Sequence, residues 1–92
     1  MDDITKTAVS QRLASASGHI NGIKRMVEED KYCIDTIQQI QAVQAALNKV
    51  TAMILENHLN TCVTTAIRGT DADERTRVLK EITNVFELSS KT

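Results

Sequence analysis

Apolar residues recur at Ile37, Ile40, Val43, Leu47, Val50 and Ile54, the steps of three and four that gather side chains on one face of an α-helix. Residues 31–68 around them contain neither proline nor glycine and are followed by Gly69, so the pattern predicts one long helix with a glycine stop. Upstream, Val9, Leu13, Ala16, Ile20, Ile23 and Val27 share another face and predict a first helix over about 5–29. Asp3 is its expected N-cap, and Asp30 that of the long helix. Downstream, Val78, Leu79, Ile82, Val85 and Phe86 predict a third helix over about 72–88. Asp71 with Glu74 three residues later opens it in the manner of a capping box. Gly18 and Gly22, four apart in the first helix, mark a side where another helix is expected to come close.

Composition supports this reading. The chain has 92 residues, no proline, three glycines and two aromatics, Tyr32 and Phe86, which argues against a sheet sandwich and for a single all-α domain over 1–92. A domain this small has difficulty burying enough apolar surface alone, so self-association is expected. No apolar run approaches the roughly 18 residues of a membrane span, and Met-Asp-Asp-Ile-Thr lacks the features of a signal peptide. A cytoplasmic protein with reduced cysteines is the expectation. Nothing resembles a glycine-rich phosphate loop, a nucleophile elbow or a paired-carboxylate motif. A Cys62–His58 nucleophile and base would lack oxyanion donors, so an enzyme is not expected.

The apolar face of the long helix changes character at one end. Steps of four beyond Ile54 reach His58 and then Cys62, neighbours on a helix and both good metal ligands. Cys33 lies in the first turn at the other end, where unpaired N–H groups and the helix dipole favour negative charge. The 25 steps from Cys33 to His58 span roughly 37 Å at about 1.5 Å each, far beyond metal bonds of about 2.0–2.3 Å. Two antiparallel copies crossing near Ala45, Ala46 and Leu47 would bring Cys33 of one level with His58 and Cys62 of the other. Such a two-fold dimer holds two equivalent sites. Two thiolates and an imidazole suit Cu(I) or Zn(II), and a count of three favours Cu(I), because structural zinc takes four protein ligands.

The formal net charge is -1, without the basic excess usual in nucleic-acid binders. Acids before Arg68 gather at Asp2, Asp3 and Glu28 to Asp30, which leaves Arg12, Lys24, Arg25 and Lys49 with few acidic neighbours and allows a basic face.

Tyr32-Cys33 followed by His58-x-x-x-Cys62 resembles the CsoR/RcnR family of bacterial metal-sensing repressors. So do Gly18-His19-Ile20-Asn21-Gly22-Ile23, Arg25-Met26, Glu28-Glu29-Asp30-Lys31, Gln39-Ile40-Gln41-Ala42-Val43 and Asn57-His58-Leu59. The resemblance covers about residues 9–88. It implies a three-helix protomer, an antiparallel dimer completed as a four-helix bundle, and a dimer of dimers. The Cys33, His58, Cys62 set is similar to that of the family's copper sensors, with Cu(I) as inducer. Tyr32 and Glu81 match positions that form an outer shell there, and Arg12 and Lys49 match basic residues used on operator DNA. Ala14, Ser15 and Ser17 stand where many relatives carry Lys or Arg. The expected function is a Cu(I)-sensing repressor released from its operator by copper. The alternative is a helical protein that buffers copper or senses thiols or persulfides without binding DNA.

Overall fold

The computed structural model describes the backbone of residues 1–90, and the side chains of these except 62, 63 and 88–90. All the regular structure described is helical, as expected: α1 (Asp3–Glu28), α2 (Cys33–His58), a π-helical turn (Leu59–Val63), α3 (Thr64–Arg68) and α4 (Ala72–Ser90). The long predicted helix is therefore a helical run interrupted by one π turn. The chain divides into two compact units, Met1–Asn57 and His58–Thr92.

In the first unit α1 and α2 form an antiparallel hairpin. The cap of α1 is Asp2, one residue earlier than expected: its Oδ1 accepts the Thr5 N–H at 2.7 Å. Its Oδ2 accepts a bond from Asn57 Nδ2, and midway along the pair His19 Nε2 and Gln39 Oε1 lie 2.7 Å apart. These two links set a register in which Val9 stands level with Val50 and Ala16 with Val43. All four are buried, at 5 % exposure each. Their spacing of seven on each helix is the narrow contact line of two packed helices.

Asp30 has a different role from the expected N-cap of α2. It takes the left-handed conformation at φ 52°, donating its N–H to Val27 O while Lys31 N–H reaches Met26 O. This is a Schellman closure of α1, with Asp where glycine is usual; a short polar side chain tolerates that conformation. The first helical residue of α2 is consequently Cys33.

The apolar face read from the sequence divides in two. Val43 and Val50 are used against α1, whereas Ile37, Ile40, Leu47 and Ile54 stay 37–48 % exposed. The close helix crossing expected at Gly18 and Gly22 is not seen among the described residues: a Cβ at Gly18 would meet nothing within 4 Å, and one at Gly22 only Arg25 Nη2 at 3.9 Å.

The second unit has a small core of Ala66 and Val78 with Ile82 packed on it. Gly69 follows α3 where a Cβ would crowd Thr65 O at 3.3 Å. Asp71 caps α4 as expected, its Oδ1 accepting from Asp73 N at 2.9 Å and Glu74 N at 3.1 Å. Leu79 and Phe86, assigned to the apolar face of this helix, are exposed.

The Thr5 N–H, with help from Asn57, holds the Asp2 carboxyl below the usual carboxylate range. A depressed folded-state pKa stabilises the fold above the unfolded value, about 3.9, and that contribution is lost as pH falls through the lower folded value. Asp2→Ala should therefore lower the thermal midpoint at pH 7, with the gap to the parent narrowing below about pH 4; melting followed by circular dichroism across pH 2–7 checks this.

Candidate metal centre

Cys33 is a free, exposed thiol on the first residue of α2. It borders a shallow apolar pocket with Val27, Thr36 and Ile37, rimmed by Asp30 and Lys31. Tyr32, expected in the outer shell, is 69 % exposed immediately before the helix. His58 is the half-buried last residue of α2. Cys62 stands on the π turn that follows, and its side chain lies outside the described residues. Among the described residues of one chain, no three His, Cys, Asp or Glu side chains converge to hold a metal. An unbroken α2 accounts for Cys33, because its 25 residue steps at about 1.5 Å each keep the two ends of the helix far apart.

The π turn was not foreseen from the sequence. Thr64 N–H donates to Leu59 O, five residues back, in place of the i→i+4 bond of an α-helix. The Thr64 hydroxyl donates to that same carbonyl at 2.6 Å, and the Thr65 hydroxyl to Thr61 O at 2.8 Å. Three threonines in five positions, Thr61, Thr64 and Thr65, are the visible signal, since threonine hydroxyls bond and bend helical backbone. Helical periodicity alone does not register it.

Glu81, the other expected outer-shell residue, accepts from Arg77 Nη1 at 2.5 Å on α4. Arg77 also grips Glu74, and these two carboxylates raise the guanidinium's pKa, Glu74 contributing more. The four cations singled out for DNA, Arg12, Lys24, Arg25 and Lys49, are all exposed. Arg12 lines a trough with Ala8, Gln11, Ser15, His19 and Ala46, none of them acidic. Ser15 thus occupies the wall beside Arg12.

Residues 5–87 match the sequence model of the metal-sensitive transcriptional repressor family. The chain belongs to that family. Among similar repressors is the copper-sensing transcriptional repressor CsoR of Bacillus subtilis (strain 168), 38 % identical over 86 residues that cover 94 % of this chain and 82 % of the relative. The CsoR of Mycobacterium tuberculosis (strain H37Rv) is 47 % identical over 62 residues, 67 % of this chain, and the match spans about half, 52 %, of that longer repressor. The fold is similar to the crystal structure of the copper-sensing repressor CsoR with Cu(I) from Geobacillus thermodenitrificans NG80-2. The TM-score there is 0.86 at 34 % identity, covering 98 % of this chain and 91 % of that one. Membership makes the chain a repressor-family protein, and no described helix is long and apolar enough to cross a membrane.

Proposed function

We propose that this chain is a Cu(I)-sensing transcriptional repressor: metal-free, it binds operator DNA, and Cu(I) held between two chains releases it. The observation that carries the reading is the line left over once the hairpin has packed. Cys33, Ile37, Ile40, Gln44, Leu47, Thr51, Ile54 and His58 follow one another in alternating steps of four and three along α2. This is the seam of a two-helix coil. It contains no Asp, Glu, Lys or Arg, and its aliphatic members are the half-exposed ones.

Alternating fours and threes read the same in either direction. A two-fold axis midway between Ala45 and Ala46 therefore sets the seam level with itself, Ile37 beside Ile54 of the partner subunit and Cys33 beside His58 of the partner subunit. Every aliphatic position of the seam is then covered, and the lone thiol meets the end of α2 that carries the imidazole. Cys33 with His58 and Cys62 of the partner subunit form the proposed metal centre. Two thiolates and one imidazole fit soft Cu(I), which accepts three ligands, better than structural zinc with four. The bound ion supplies a crosslink between subunits; the protein's part is to preset its ends. Tyr32 and Glu81 would serve as the outer shell, with Glu81 shared with Arg77.

On the DNA side the reading rests on Arg12, Lys49, Lys24 and Arg25, gathered by the dimer and by a dimer of dimers into a surface that tracks phosphates. The two units act together as one domain in this assembly, in the cytoplasm and without catalytic activity. Copper releases DNA only by binding the DNA-incompetent state more tightly, and the coupling expected is about 5- to 150-fold in affinity.

Fluorescence anisotropy with promoter DNA of its own operon should show binding by metal-free protein, weaker at higher salt, and loss of binding on adding Cu(I). Absence of binding even at low salt would instead favour the copper-buffering or sulfur-sensing alternative, to which Ala14, Ser15 and Ser17 lend support. His58→Ala should weaken Cu(I) binding strongly and leave the DNA complex insensitive to copper. Leu47→Glu places two buried charges beside the two-fold axis; sedimentation should report a monomer, and Cu(I) titration the loss of tight binding.

A further inference from the structure

We propose that Thr64 is a positioning residue for the metal, holding the π turn that sets the spacing between His58 and Cys62; the inference rests on the metal centre proposed above. His58 precedes this turn and Cys62 lies within it, so any change of helical type there alters how the two backbone positions stand to one another. Four α-helical steps of about 100° overshoot one full turn by about 40°. A π turn bonds to the fifth residue and is wider, so four steps fall short of a full turn. Position 62 therefore lies on the opposite side of the axial line through His58 from where an α-helix would put it. The two helical types offer a metal two different bites.

π turns occur mostly as single turns inside α-helices, so something local must favour this one. Leu59 O accepts both the N–H and the hydroxyl of Thr64. Elsewhere, the hydroxyls of Thr36, Thr51, Thr65, Thr76 and Thr83 each donate to the carbonyl four residues back. Thr64 instead reaches five back, and that bond is available in the wider turn. Its hydroxyl therefore adds a second bond to the one carbonyl whose partner distinguishes the π turn from the α-helix. Groups that orient metal ligands in this indirect way typically change affinity by about 10- to 100-fold when removed.

The test compares Thr64→Val, which keeps the shape and loses the hydroxyl, with Thr64→Ser, which keeps the hydroxyl. Cu(I) affinity is read by competition with a colorimetric Cu(I) chelator, and ligation by the ultraviolet Cu(I)–thiolate absorption, with His58→Ala measured alongside. The expected result is Cu(I) binding weakened about tenfold or more in T64V with an altered thiolate band, parental behaviour in T64S, and unchanged helicity in both. Parental affinity in T64V, or T64S as weak as T64V, overturns the role of the hydroxyl. If H58A itself leaves Cu(I) affinity unchanged, the metal centre fails; if H58A weakens binding and T64V does not, only the present inference fails. Should T64V not fold, Thr64→Ala, which also lacks the hydroxyl but favours helix, is read in its place.

Discussion

The structure depends on the fact that a two-helix hairpin cannot cover both apolar lines of α2. Val43 and Val50 face the small residues of α1, and this narrow contact uses one line of the helix. The other line remains half in water, uncharged from Cys33 to His58. Leaving it so would cost about 25 cal/mol for each Å² of apolar surface, and a small domain has little stability to spare. The proposed association of α2 with a second α2 would remove that cost. The same act would close the distance between the two ends of a helix that one chain keeps far apart. On the reading proposed above, assembly and metal binding would share one cause, the line of isoleucines and leucine that ends in Cys33 and His58.

Much of this was legible in the amino-acid pattern. Ile37, Ile40, Leu47 and Ile54 announced a helical face, and His58 and Cys62 at its end are the ligands proposed above. Asp71 was readable as a cap because a side-chain oxygen before an acidic first turn has few other uses. What periodicity could not decide was which apolar residues face the protomer's own helix. Val43 and Val50 lie about 70–90° from the seam's axis, and assigning them to one neighbour or another needs the register fixed by Asp2–Asn57 and His19–Gln39. Asp30 was misplaced for a related reason: Asp favours both the start of a helix and the left-handed residue after one, and only the backbone bonds distinguish them. The π turn escaped altogether, because the steps of four from Ile54 to His58 and Cys62 were counted as α-helical, and a change of helical type leaves composition unchanged.

Likeness to copper-sensing repressors and the physical reading of this chain meet at α2 and differ in emphasis elsewhere. The first helix keeps Arg12 yet offers Ser15 beside it in the trough, so on the proposed reading electrostatic attraction to DNA would come from few cations repeated by symmetry. Glu81 is occupied by Arg77 within its own helix. An outer-shell role for Glu81 would draw one carboxylate into two tasks, surface ion pairing and the support of a ligand.

The left-handed Asp30 has a further consequence for how the thiol is delivered. Because the end of α1 is closed by backbone bonds from Asp30 and Lys31, and α2 begins two residues later, the corner between the helices holds little slack. Cys33 is carried on a short, braced elbow, not on a tether. A thiol mounted in this way has surrendered most of its wandering when the chain folds, so capture of an ion at the proposed dimer seam would not have to arrest it a second time. The tightness of the corner, set by one residue's unusual backbone angle, would thereby become part of the affinity of the proposed site.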